Sequence, residues 1–380
     1  MVNFQRWTEL GSALVSATGR NVIGEQLTKQ SMKNDQQSRP KRSNFADIAR
    51  AAGVSVITVD RVLNERGSVS SATRTRVVEA ARGLDVRRIL PDTRHGLLHF
   101  DILMSNHQAP FQRRLSLAVD RAMQTLDQRI SVHKVKVPLR DAIAYEKAIL
   151  SPRYKRAGLM LIGAESRPVR DALCKVIDAG EAVSALVSDH SGLPPHHYAG
   201  IDNYSAGRTA GYWIGRLARN KGKVLVLYGI EGVQAHVDRV RGCLDALDEY
   251  FPTLEVQVSG ETLDDSDRSF RFVNQALKLG PLAGIYDCGY SSTGVHAALH
   301  RHAAQGSTIW IGHEMLDDHR AYLKERSMEM VIDQNPDGQV QAALQYLFHA
   351  CGLTDMAPSP EPVPFTLYTL PNMRKSGYMD

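Results

Sequence analysis

Two groups of residues in this 380-residue sequence could do chemistry, and in both the chemistry is recognition. The first lies in "FADIARAAGVSVITVDRVLNERGSVSSATRTRV", residues 45–77. Ser55, Thr58, Asn64 and Ser70 are short polar side chains near the ends of short helical stretches, where such groups suit phosphate oxygens. Arg61 can offer its guanidinium fork to a guanine edge or to a phosphate. Val56 and Ile57, just before it, can pack on thymine methyls but cannot form bidentate hydrogen bonds to a base. Asp60 repels phosphate unless it accepts from cytosine N4 or pairs with Arg61 or Arg66, and the sequence leaves these open. The second group is spread along the chain. Asp189, Asp287 and Glu314 each follow an apolar run, "VSALV", "LAGIY" and "TIWIG", while Arg239 opens a helical stretch after "KVLVLYG". Acceptors facing a donor fork suit a neutral sugar or polyol; a sugar phosphate would call for at least two clustered Arg or Lys. Phe111 and Gln112 follow the run "FDILM"; the ring could stack on a sugar or belong to the core. Asp202 is either a ligand contact or a hinge residue.

Catalytic signatures are missing. There is no G-x-S-x-G, no close acid–base pair, no GxGxxG after the first strand and no GxxxxGK[ST]. The four cysteines (Cys174, Cys243, Cys288, Cys351) are far apart, so reduced, buried thiols are expected. The pairs His196–His197 and His300–His302 lack the two further ligands zinc would need. No metal, no cofactor and no catalytic residue are expected. The rival reading is an α/β enzyme acting on a sugar with an accessory helical head, and the same absences weaken it. Apolar runs are strand-sized, far short of the roughly 20 residues that span a bilayer. Glu9 and many polar residues spoil a signal peptide at the start, so a cytoplasmic protein is expected.

The elements that must position these residues change character near residue 98. Phe45, Ile48, Ala49 and Ala52 recur at helical spacing until Gly53, whose place in a tight turn calls for positive φ. Ser55 can cap a second helix through Leu63, and Ser70 a third with Val77, Val78, Ala81 and Leu84 facing inward. Two helices across a tight turn followed by a third form a helix-turn-helix. Residues 1–98 hold 16 Lys and Arg against 9 Asp and Glu, the rest of the chain 30 against 32. The positive charge is therefore concentrated on the head, as nucleic-acid binding requires. From His99, seven apolar strands alternate with helical stretches at 111–127, 168–179, 206–219, 235–250, 290–304 and 336–350, which implies parallel sheets built from βαβ units. About 280 residues suit two such sheets.

The block 46-ADIARAAGVSVITVDRVLN-64 with 69-VSSATRTRVVEAA-81 closely resembles the DNA-binding head of the lactose-repressor (LacI/GalR) family. The later stretches "APFQRRL" (109–115), "VSDHSGLPPHHYAGIDNYSAGRTAGYWIGRL" (187–217), "HVDRVRGCLDAL" (236–247) and "IGHEML…VIDQNPDGQVQAAL" (311–344) resemble that family's effector domain, which is related to periplasmic sugar-binding proteins. The resemblance implies a homodimeric regulator, expected to be a repressor, whose two heads read a pseudo-palindromic operator. Val56 and Ile57 would then stand where the family most often faces base edges, Arg239 where it donates to sugar hydroxyls, and Gln334 where related proteins contact carbohydrate. The expected organisation is a disordered extension (1–43), an all-α helix-turn-helix head (44–86), a linker (87–98) and an α/β body (99–380). The body is expected as two doubly wound lobes, 99–203 with 314–350 and 204–313 with 360–380, joined by three crossings near 202–205, 311–315 and 333–362. A ligand would sit between the lobes at the strands' carboxyl ends. In the linker, the family's hinge-helix pattern is missing and Pro91 would break such a helix, leaving Arg87 and Arg88 as candidate backbone or minor-groove contacts.

Overall fold

The structure, a computed structural model, describes residues 44–63, 69–84, 98–106, 110–138, 140–163, 165–219 and 222–373. The chain divides into two compact units, 1–94 and 95–380.

In the first unit, α1 (Phe45–Ala52) opens with a capping box: the Asn44 side chain accepts from the backbone of Ala46 and Asp47, and Asp47 accepts from Asn44 N at 3.0 Å. It ends at Gly53, whose φ of 63° is the left-handed value that a side chain would oppose. Ser55 Oγ accepts from Thr58 N at 3.1 Å and starts α2 (Val56–Leu63). Ser70 Oγ accepts from Thr73 N at 3.3 Å and starts α3 (Ser71–Gly83). Ile48, Val59, Val62, Val77, Val78 and Ala81 are fully buried where the three helices meet. Each helix is too short to stand alone in water, so this shared core holds them.

The second unit contains two sheets. The first, in order β2-β1-β3-β4-β5, is parallel throughout: β1 (Leu98–Ser105), β2 (Ile130–Val137), β3 (Arg156–Leu161), β4 (Ala182–Leu186) and β5 (His197–Ala199). One face carries α4 (Pro110–Gln124) and α12 (Pro336–Ala350), the other α5 (Ala142–Leu150) and α6 (Arg167–Asp178). The second sheet has the order β11-β10-β9-β8-β6-β7, with β6 (Lys223–Tyr228), β7 (Val256–Glu261), β8 (Leu282–Asp287), β9 (Ile309–His313), β10 (Met330–Asp333) and β11 (Thr366–Tyr368). Only the edge strand β11 is antiparallel. Here α7 (Asn203–Leu217) and α8 (Gln234–Tyr250) cover one face; α9 (Ser266–Leu279), α10 (Ser292–Arg301) and α11 (Asp317–Lys324) cover the other. Helices on both faces explain why the central strands are continuous apolar runs.

The crossings differ from the sequence expectation. The chain passes between lobes at 200–202, 334–335 and 351–365, and the run 311–315 is not a crossing. β10 pairs in parallel with β9, Met330 beside Ile311, so residues 314–333 belong to the second lobe. A four-residue apolar strand fits the edge of either sheet, and only pairing assigns it.

Candidate functional site

On the head, α2 begins with two apolar side chains turned to solvent: Val56 is 46% and Ile57 66% exposed. No core needs them there, and exposed large apolar residues on a small basic domain mark a contact surface. Thr58 is half-buried, with its hydroxyl against Ser55 Oγ at 2.8 Å, and Arg61 is exposed one turn on. Asp60 is half-buried on the same helix. Ser55 and Ser70 spend their hydroxyl oxygens as helix caps, which leaves the uncapped amides of the first turns free for an anion. Asn64, Arg87 and Arg88 lie outside the described residues.

In the body, a cavity of about 90 Å³ lies between the lobes at the carboxyl ends of both sheets. Phe111, Gln112, Arg239, Glu314 and Gln334 of the sequence-predicted set line it. Arg239 reaches it because α7 and α8 touch backbone to backbone. A Cβ on Gly207 would lie 2.0 Å from Arg239 O, and one on Gly242 2.1 Å from Tyr204 O. From this crossing Arg239 donates Nε to Asn203 Oδ1 (2.8 Å) and Nη1 to Cys288 O (2.9 Å). Its Nη2 is buried without a partner. Gln112 Oε1, His313 Nδ1 and Gln334 Oε1, all on cavity-lining residues, are likewise buried and unpaired. Each such atom costs about 1–3 kcal/mol when unsatisfied, so their gathering in one cavity points to a bound polar molecule. Gly207→Ala is expected to push the helices apart and weaken that binding at least about 10-fold while lowering Tm, by calorimetry and thermal melts.

Burial sets the charge states. It pushes Asp264 and Glu314 up to about 7 and His236 down to about 3. His313 also falls well below its ordinary range for the same reason. His236 Nδ1 accepts from Ile230 N at 2.9 Å, so this neutral ring carries its proton on Nε2 and is a donor. The cavity thus interleaves donors and acceptors with little fixed charge besides Arg239. Backbone strain collects here too: Val187, Asp264 and Glu314, which all line the cavity, hold φ of 68°, 53° and 71°. Because the folded carboxyls of Asp264 and Glu314 hold protons more tightly than unfolded ones, their contribution to stability is complete below about pH 4 and is lost as pH rises through 7. Asp264→Asn, which still accepts from Tyr290 N, should flatten this decline; melts of both proteins at pH 5 and pH 8 would show it.

Three predicted contacts are turned elsewhere. Asp189 Oδ1 accepts from His190 N and His196 Nε2, both at 2.8 Å. Burial opposes ionisation of Asp189, but those bonds outweigh it and hold the carboxyl below its usual range. Asp202 caps α7 through Ser205 N (2.8 Å) and Ser205 Oγ (2.6 Å), at the first crossing. Asp287, fully buried, takes Ser291 N at 3.1 Å and supports the turn before α10. Sequence reasoning missed Asp264, His236, His313, Ser105 and Ser188, all of which line the cavity. Ser105 and His313 end strands that the sequence reveals and Ser188 closely follows one, so these three were detectable; Asp264, after the unread β7, and His236, in the first turn of α8, carried no such signal.

Two families match the sequence. Bacterial regulatory proteins of the lacI family match residues 44–87, and the periplasmic binding protein domain matches residues 153–352. No curated protein matches it. Among solved structures, GanP, a glucose-galactose binding protein from Geobacillus stearothermophilus, is 17% identical over 73% of this chain and 99% of its own, with a TM-score of 0.65. A solute-binding protein from Actinobacillus succinogenes 130z with bound D-allose is 18% identical over 72% and 98%, with a TM-score of 0.63. One from Burkholderia graminis in complex with D-arabinose is 20% identical over 74% and 98%, also with a TM-score of 0.63. At these identities the likeness is one of fold. A helix-turn-helix of this pattern, followed on one chain by the two-lobed body, places the protein in the lacI family of bacterial regulatory proteins, with a periplasmic binding protein domain as its body.

Proposed function

We propose that the protein is a homodimeric repressor whose affinity for a pseudo-palindromic operator is set by a neutral sugar or polyol bound between the lobes. The observation that carries this reading is the cluster of unpaired buried groups, Gln112 Oε1, Arg239 Nη2, His313 Nδ1 and Gln334 Oε1. A hydroxyl both donates and accepts, so a ring of hydroxyls satisfies such a mixed set, whereas a phosphate would leave the acceptors unpaired. Sugars bound in solved structures of the same fold support the choice of ligand class. The lobes already touch across the cleft: Glu165 N donates to Gly232 O at 2.7 Å, Ala235 N to Ser188 Oγ at 3.1 Å, and Arg140 pairs with Glu261 at 3.3 Å. A ligand that bridges the lobes would favour this arrangement by its differential affinity, and the spacing of the two heads would follow. Both matching families are regulatory or binding types, which speaks against the enzyme reading. No helix among the described residues is long and apolar enough to cross a membrane.

A panel of pentoses, hexoses, polyols and sugar phosphates tested by thermal shift checks the ligand class. Neutral sugars should raise Tm; stabilisation by sugar phosphates alone would overturn it. On the head, Arg61→Ala should cost about 1–3 kcal/mol of operator binding. A guanine contact predicts relaxed specificity at one base pair, and a phosphate contact predicts uniform loss with a salt slope smaller by about one. Fluorescence anisotropy against single-base operator variants distinguishes them, and unchanged binding would remove Arg61 from the interface.

A further inference from the structure

Away from the cleft, the second lobe brings together three side chains that neither the sequence reading nor the function above uses. His296 and His300 stand one turn apart on α10, and Glu325 is the C-terminal cap of the adjacent α11. His296 Nε2 lies 2.9 Å and His300 Nε2 3.7 Å from the same carboxylate oxygen, Glu325 Oε2. The ligand atoms of all three residues lie within 4.8 Å of one another. We propose that His296, His300 and Glu325 form a binding site for a divalent transition-metal cation of the zinc class, with water in the remaining position.

Zinc takes imidazole nitrogen and carboxylate oxygen at about 2.0–2.2 Å in a tetrahedron, so its ligand atoms stand about 3.4 Å apart. The two separations from Glu325 Oε2 straddle that value, and small side-chain rotations would equalise them. The donor set of two imidazoles and one carboxylate is that of open zinc sites, which keep a position for water. His296 is held in place by stacking on Tyr322, ring centroids 4.1 Å apart and planes 20° apart. Two of the three ligands, His300 in the last turn of α10 and Glu325 at the cap of α11, lie at helix C-termini, where the partial negative charge of unpaired carbonyls favours a cation. Of the neighbouring cations, Arg301 is drawn aside over the Phe270 ring at 5.9 Å. The sequence expectation of no metal paired His300 with His302, but the fold sends His302 to Asn274 Oδ1 at 3.0 Å and gives His300 a partner four residues earlier.

The site would also reach the cleft. The N-terminal ends of α10 and α11 are joined by His319, which bonds Ser292 Oγ at 2.6 Å and Glu314 O; Glu314 and Tyr290 line the cavity. A metal at the opposite ends would clamp the same helix pair.

The test uses the full chain without a histidine tag, titrated with zinc chloride by calorimetry and with cobalt(II) by visible absorption. One equivalent should bind with tetrahedral cobalt bands and no thiolate charge-transfer band, and binding should raise Tm. His300→Gln, on a half-exposed side chain, should weaken binding at least about 10-fold, and Glu325→Gln should do likewise; both should melt like the parent in the presence of chelator. Binding unchanged in both variants, a thiolate band, or no binding at micromolar metal would overturn the proposal.

Discussion

Arg239→Met is expected to reduce affinity for the cleft ligand by at least about 10-fold. The side chain is 2% exposed, with Nε on Asn203, Nη1 on the Cys288 carbonyl and Nη2 unpaired in the cavity. A hydrogen bond from a charged donor contributes about 1.5–3 kcal/mol, roughly 10- to 150-fold in affinity. Methionine also leaves Asn203 Oδ1 and the Cys288 carbonyl without this donor, so the wall of the cavity loses its fixed position. The low end of that range is therefore a minimum. Arg239→Lys keeps the charge but has one nitrogen where three directions are served, and should fall between the parent and Met. Operator binding in the absence of ligand should persist in both. Calorimetry with whichever sugar stabilises the parent measures the loss; binding within about 3-fold of the parent would show that Arg239 does not contact the ligand.

Arg114→Met is expected to lower the stability of the body by about 3–5 kcal/mol. Arg114 lies on α4 in the first lobe and is 7% exposed. Its Nη2 donates to Asp333 Oδ1 at 3.2 Å and its Nη1 to Glu314 Oε2 at 3.3 Å; Nη1 also pairs with Asp333 Oδ2. Asp333 ends β10 where the chain crosses at 334–335, and it also accepts from Met315 N (3.0 Å) and Asn335 N (2.9 Å). Removing the guanidinium strands two buried carboxyls beside the crossing. For a body of this size the fall in Tm should be roughly 10 °C. Adding Asp333→Asn should recover part of it, because one stranded charge is then gone. A thermal melt of the three proteins decides this, and a Tm within about 2 °C of the parent for Arg114→Met would show that the ion pair is not what ties the crossing to the first lobe.

The head was nearly all legible because each of its elements is set by local chemistry. Ser55 and Ser70 cap, Gly53 turns, and Ile48, Val59 and Val77 recur at helical spacing. In the body, central strands were legible and edge strands were not. β2 alternates lysine with valine, and in β7 Val258 is 42% exposed, so neither forms a continuous apolar run. Missing β7 also hid Asp264, which follows it. The strand-end rule located Glu314, Phe111 and Gln112 at the cavity, and the family resemblance located Arg239 and Gln334; the rule overreached at Asp189 and Asp287. A short carboxylate at a strand end often bonds the amides of its own turn, and sequence gives the backbone position without the side-chain direction. His313, which ends β9 one residue before Glu314, was open to the same rule, whereas His236 became visible only when the fold buried it.

The central claim is coupling between cleft and head, and fluorescence anisotropy tests it most directly. A labelled duplex from the protein's own promoter region would be titrated at two salt concentrations, with and without a sugar that raises Tm. Saturating ligand should shift specific operator affinity by about 5- to 150-fold. Arg239→Met should show no such shift. Operator affinity unchanged by a ligand shown to occupy the cleft would contradict that coupling.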